Sequence, residues 1–162
     1  MAGTLGTVSV RIACCQFPPD VEAPDASAAL AREAIAGAVA NGAQIVVLPE
    51  LCTSGYVFRE PAEARAAATA PDGDLLRGWA AEAARGDALV VGGFCELAPD
   101  GRLFNSSALV DGNGVDWMMW RCVFQNATIA ERSISIPSTI SLALRQFSAH
   151  RLKTSAGLTI GE

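Results

Sequence analysis

"QIVVLPELCTSGYVF", residues 44–58, decides how the fold is read. Ile45, Val46, Val47 and Leu48 form a short uninterrupted apolar run, the composition of a strand covered on both faces. Pro49 stops the run and Glu50 follows at once. In open α/β sheets the working groups stand just past the C-terminal ends of such strands. Glu50 has Val46, Val47, Leu48, Leu51 and Val57 around it in sequence, residues that would desolvate a carboxylate and suit it to general-base work. Taken alone, "LPE" fits a strand-terminal glutamate facing solvent equally well.

Upstream, "VSVRIACCQF" (8–17) reads as a central strand with Val8, Val10, Ile12 and Cys14 on one face and Ala13 and Cys15 on the other. "PPDVEAP" is a turn region, after which Asp25 or Ser27 can cap a helix running to about Ala40 and closing on Gly42. Leu30, Ile35 and Val39 mark its apolar side. Downstream of Glu50 lies a long loop with a short alanine-rich helical piece. "DLLRGWAAEAARG" (74–86) places Leu75, Leu76, Trp79, Ala80 and Ala83 on one helix face. "ALVVGGFCEL" (88–97) is a third buried strand, "PDGR" a hairpin-type turn, and "LFNSSALVD" (103–111) a fourth strand. The order β-α-β-α-β-β predicts an α/β fold with a hairpin on its later edge.

A chain of 162 residues makes one domain and can bury about 70% of its unfolded surface. Its 51% hydrophobic content and mean hydropathy of +0.29 agree with a packed core. The N-terminal stretch lacks the basic and apolar regions of a signal peptide, and no apolar run is long enough for a membrane span. A net charge of −5 argues against a nucleic-acid surface. Five cysteines without C-x-x-C spacing suggest a reduced cytoplasmic chain with neither zinc site nor disulfide framework. "VVGGFCE" and "DGNG" lack a glycine-rich phosphate fingerprint, which disfavours a nucleotide-binding flavodoxin-like domain. Composition shifts near Val115. Residues 1–115 hold 25 alanines and 14 acidic against 7 basic side chains, whereas 116–162 hold 5 alanines and 3 acidic against 5 basic.

"VRIACCQFPPDV", "IVVLPELCTSGYVF", "VVGGFCE" and "LFNSSALVDGNGV", in this order and spacing from about Val8 to Val115, resemble the nitrilase (carbon–nitrogen hydrolase) superfamily. The resemblance implies a partial α-β-β-α sandwich of the nitrilase type and homo-oligomers built by extending sheets. It also implies hydrolysis of small amide, carbamoyl or nitrile compounds without metal or organic cofactor. The chemistry it implies needs a cysteine nucleophile, a glutamate base and a lysine. A thiol needs a neighbouring base to become a thiolate, and the tetrahedral intermediate needs a cation or N–H donors at its oxyanion. Glu50 matches the base. By the same resemblance Tyr56 and Phe58 lie near the pocket mouth, with packing an equal account of both, and Asn105 of "FNSS" orders a strand end.

The pattern then departs from the family. Its lysine should follow "LVDGNGV", where this chain has "WMMWRCVFQN" and Cys122 stands at the lysine's place. The chain's one lysine is Lys153, and no cysteine follows Cys122. Cys52 lies two residues from Glu50, but small cysteines among apolar residues are more often inert packing than nucleophiles. Cys14, Cys15 and Cys95 read as core, and His150 as a solvated side chain. The expectation is the N-terminal part of a hydrolase over 1–115 and a divergent, truncated or frameshifted tail over 116–162, with catalysis impaired. The alternative is a non-catalytic binding or subunit role that retains the pocket base.

Overall fold

The computed structural model describes residues 9–125, 128 and 129, with side chains through Val115. The elements are β1 (Ile12–Cys14), α1 (Pro24–Ala40), β2 (Ile45–Val47), α2 (Pro61–Ala66), α3 (Asp74–Ala83), β3 (Leu89–Leu97), β4 (Leu103–Asp111), β5 (Gly114–Gln125) and β6 (Thr128–Ile129). The strands lie side by side in chain order, β1-β2-β3-β4-β5-β6. β1, β2 and β3 run parallel, and every later pairing is antiparallel. Parallel neighbours need long crossovers, which α1 and the α2–α3 segment supply, while antiparallel neighbours need only turns. The "PDGR" turn closes as expected, with Gly101 at φ 81° and the Ala98 N–H donating to the Arg102 carbonyl at 2.9 Å. This is the α/β class expected from the sequence: a mixed sheet with helices.

The helices cover one face of the sheet. Ile35, Val39, Leu76, Trp79 and Ala83 of α1 and α3 pack on Val46, Leu48, Val90, Phe94, Ala108 and Val110. The other face carries Ile45, Val47, Leu89, Val91 and Leu109. α1 starts with Pro24 in its first turn, where a missing N–H costs nothing, and its N-cap Ala23 makes no side-chain bond. Neither Asp25 nor Ser27 caps it. Ser27 is buried instead, accepting from the Asp20 N–H at 2.7 Å and donating to the Asp20 carbonyl at 3.1 Å, which ties down the loop after β1. The buried stripe is Ser27, Ala31, Ile35 and Val39, at fourfold spacing, so Leu30 falls beside it and is 38% exposed. The helix ends as expected at Gly42, φ 79°.

Two strands differ from the sequence reading. β1 is three residues long and lies at the end of the strand order rather than in its centre. Its Ala13 side packs on the helical core together with Cys15, while Ile12 and Cys14 are exposed. β5 begins at Gly114 and runs across the composition change at Val115, pairing with β4 as far as Phe104 opposite Val123. Its Val, Trp, Met and Phe content favours a strand without showing period-two alternation. The segment 136–153, in which the spacing of Ile140, Leu144 and Phe147 suggests a weak helix, lies outside the described residues, as do Lys153 and His150 within it.

α1 and α3 are joined by charge as well as packing. Glu82 is 5% exposed, and its Oε1 accepts from Arg32 Nη2 at 3.1 Å. Its Oε2 lies 3.0 Å from Arg85 Nε as an ion pair without hydrogen-bond alignment. Bonds to charged groups contribute about 1.5–3 kcal/mol, so Glu82→Ala is expected to cost about 2 kcal/mol. Exposed Glu33→Ala on α1 should stay within about 0.5 kcal/mol. Urea unfolding of the two variants checks this; equal midpoints would remove the network's contribution.

Candidate active site

The turn that carries Glu50 is built by the β2–β3 ladder continuing past β2. Leu48 N–H donates to the Val91 carbonyl at 2.8 Å, Gly93 N–H to Pro49 at 3.2 Å, and Cys52 N–H back to Gly93 at 3.1 Å. Gly55 and Ser54 N–H groups then close on the Leu51 carbonyl at 2.8 and 3.2 Å. Leu51 adopts φ 44°, a left-handed conformation that a branched side chain reaches only when its surroundings enforce it. Its side chain is fully buried, which supplies part of that enforcement. A Cβ on Gly93 would lie 2.7 Å from both Glu50 Cα and Leu51 N. Only glycine lets the turn sit this close to β3.

Glu50 is half-buried. From β4, Asn105 reaches across with its Nδ2 donating to Glu50 Oε1 at 2.6 Å, and Asn105 itself is 2% exposed. Tyr56 stands beside the same carboxylate. Burial, then the charge of Glu50, then hydrogen bonding to it push the Tyr56 phenol above its ordinary range. Glu50 and Tyr56 border a cavity of about 260 Å³ on the sheet face away from the helices, with Cys14, Gln16, Val47, Val91, Gly93 and Ser107 among its walls. It opens past the C-terminal ends of the parallel strands, where open α/β sheets bind ligands.

Most of the sequence-selected residues converge here, with corrections. Tyr56 lines the cavity; Phe58 is not among the lining residues. Val57 is 73% exposed and shields nothing. Asn105 orders a strand end as expected, and what it orders is Glu50. Cys14, read as core, is exposed and lines the cavity. Cys52 packs in the helix-side core, its thiol pushed up to about 12 chiefly by burial, so its nearness to Glu50 in sequence does not make it a nucleophile. Cys95 is buried as read, and its thiol is likewise pushed up to about 12 by burial and then by the Glu96 charge. Gln16 and Ser107 were not singled out from sequence. The available signal was the period of two that places Gln16 with Cys14 and Ser107 with Asn105. Among the described residues no group of histidine, cysteine, aspartate and glutamate could hold a metal ion, and no helix is long and apolar enough to cross a membrane.

The model of the carbon-nitrogen hydrolase family matches residues 11–121. The chain belongs to that family. No curated protein matches the sequence. Among solved structures, an N-terminal amidase with a Gln-Val peptide superposes at TM-score 0.62 with 18% identity, over 74% of this chain and 29% of the amidase. XC1258 from Xanthomonas campestris, a CN-hydrolase superfamily protein with an arsenic adduct in its active site, gives TM-score 0.58 and 22% identity over 78% and 49%. A glutamine-dependent NAD+ synthetase from Acinetobacter baumannii gives 0.52 and 24% over 70% and 21%. At these identities the likeness is one of fold, and the chain spans less than a third of the N-terminal amidases. Cys122 stands opposite Asn105 in the β4–β5 ladder. That position therefore borders the strand that holds Glu50.

Two outcomes follow from this geometry. Gly93→Ala forces backbone apart and should cost about 2–3 kcal/mol by overpacking, read from urea or thermal unfolding; an unchanged stability would mean the turn yields freely. Tyr56 is the chain's one tyrosine, so near-ultraviolet tyrosinate absorbance reports it alone. It should ionise above the ordinary value of about 10, and Glu50→Gln should lower that midpoint by removing the negative charge. The folded chain holds this proton more tightly than the unfolded one. The resulting stabilisation is complete below about pH 10 and is lost as alkali rises towards the folded midpoint. A midpoint indifferent to Glu50→Gln would break the pairing.

Proposed function

We propose that this chain carries the general-base part of a hydrolase acting on non-peptide carbon–nitrogen bonds, with small amide, carbamoyl or nitrile compounds as its substrate class. The observation that supports this is Glu50 held by Asn105 at 2.6 Å on the wall of a cavity at the strand ends. In an amide reaction of this type Glu50 accepts the proton of a thiol as its sulfur attacks the carbonyl carbon. The same carboxyl group then returns that proton to the leaving amine. Water, deprotonated by the carboxylate, next hydrolyses the thioester to the acid and regenerates the thiol. A lysine offsets the oxyanion. Among the described residues Cys14 is the one cysteine lining the cavity, but it sits on β1 and not at the family's nucleophile position. Turnover by this chain is therefore impaired. The composition change after Val115 and the end of the family match at residue 121 fit a tail translated out of frame from near that point.

Ammonia release from small carboxamides, ureas and nitriles, measured for the chain and for Glu50→Gln, should be equally negligible. Turnover that Glu50→Gln abolishes would overturn the impairment, and Cys14→Ser would then identify its thiol. The encoding DNA beyond codon 115 should contain, in another frame, an aromatic-Arg-Lys triplet and a later strand-ending cysteine. The protein made from that frame should hydrolyse amides and lose this with Glu50→Gln. Absence of the frame overturns the out-of-frame reading; a folded, inactive product overturns the hydrolase reading.

A further inference from the structure

Glu50 is the one charged residue lining the cavity among the described residues, and none of their ion pairs includes it. The neighbours that steady it, Asn105 and Tyr56, are neutral. A half-buried carboxylate with no counter-charge among the described residues creates a field that a cation relieves, and its attraction exceeds that in open water because the walls lower the local dielectric. Those walls are largely aliphatic: Val47, Leu48, Pro49 and Val91. Beside the carboxylate stands the Tyr56 ring, whose face can also receive a cation. The buried Oδ1 of Asn105 has no hydrogen-bond donor among the described residues. At about 260 Å³ the space lies below the usual range for drug-sized ligands and suits a group of a few heavy atoms.

We propose that this cavity binds small organic ammonium ions, with the ammonium group at Glu50 and Tyr56 and the alkyl part against Val47 and Val91. The inference rests on the cavity's charge and shape and does not require the hydrolase reading. A carboxylate ligand is repelled by Glu50, and a neutral amide of equal size forgoes the charge-assisted bond. Binding strengthens with alkyl length by about fourfold per methylene, until the cavity is filled.

The test titrates the full chain with n-butylammonium chloride, ethylammonium chloride, butyramide and sodium butyrate at matched ionic strength, following the ring resonances of the one tyrosine. Butylammonium should give a saturable shift, and ethylammonium, two methylenes shorter, should bind about sixteenfold more weakly. Butyramide should fall behind by about tenfold or more, and butyrate should give no saturable shift. Glu50→Gln should weaken butylammonium by a similar factor. Equal binding of butyramide and butylammonium, or binding of butyrate, overturns the proposal, as does butylammonium binding that survives Glu50→Gln. The ligand series on the unsubstituted chain decides the matter even if the variant fails to fold. None of these outcomes bears on the amide hydrolysis by the restored-frame protein that tests the hydrolase reading.

Discussion

Two hydrogen bonds of one residue hold the site together. The N–H and carbonyl of Gly93 close on Pro49 and Cys52, so the turn bearing Glu50 is stitched to the middle strand of the sheet as if it were still part of β2. The left-handed Leu51, the burial of its side chain and the placement of Glu50 beside β4 all depend on that seam. It also explains the glycine pair of "VVGGF". Glycines weaken a strand interior unless something must approach closely. On the helix side a Cβ at Gly92 would meet the Trp79 ring at 2.6 Å, and on the other side a Cβ at Gly93 would meet the Glu50 turn. The two glycines serve opposite faces of one strand.

The faces divide the work of the fold. On the helix side Trp79, Phe94 and Ile35 fill a dense core, with Glu82 securing the outer join of α1 and α3. The buried Glu96 is also bonded, accepting from Ser106 Oγ at 2.5 Å. On the opposite side the described residues of the sheet present aliphatic side chains on β2 and β3 and the polar Asn105 and Ser107 on β4 beside the cavity. The carboxylate is thus fixed by backbone on one strand and by a single side chain from the next. Neither contact requires a metal or a second charge, since neutral donors can orient a carboxylate while leaving its charge available.

The sequence showed the position of Glu50 because an apolar run ended by proline is a strong local signal, and because the four family-like segments agree in order. It showed less of what surrounds Glu50. Asn105 looked like any polar residue in a strand; its pairing with Glu50 arises from a register between distant strands that local patterning does not encode. Cys14 was assigned to the core because an apolar residue facing a cavity and one facing a packed layer have the same periodicity. The run of Trp, Met, Val and Phe in β5 hid its strand, since that run lacks alternation and begins where alanine content falls. Val57 misled in the opposite sense, as an aliphatic side chain that the loop turns outward.

The strand order carries a consequence for biosynthesis. Among the described residues each strand lies next to the one made just before it, so this sheet can grow outward from β1 as the chain leaves the ribosome, with none of its strands inserting between earlier ones. α1 and α3 arrive between the parallel strands they cover, while β4 and β5 follow β3 through short turns that close quickly. On this schedule the turn carrying Glu50 emerges early and waits. It gains its backbone seam when Gly93 arrives and its side-chain anchor with Asn105, twelve residues later. The site is thus assembled in the order of translation.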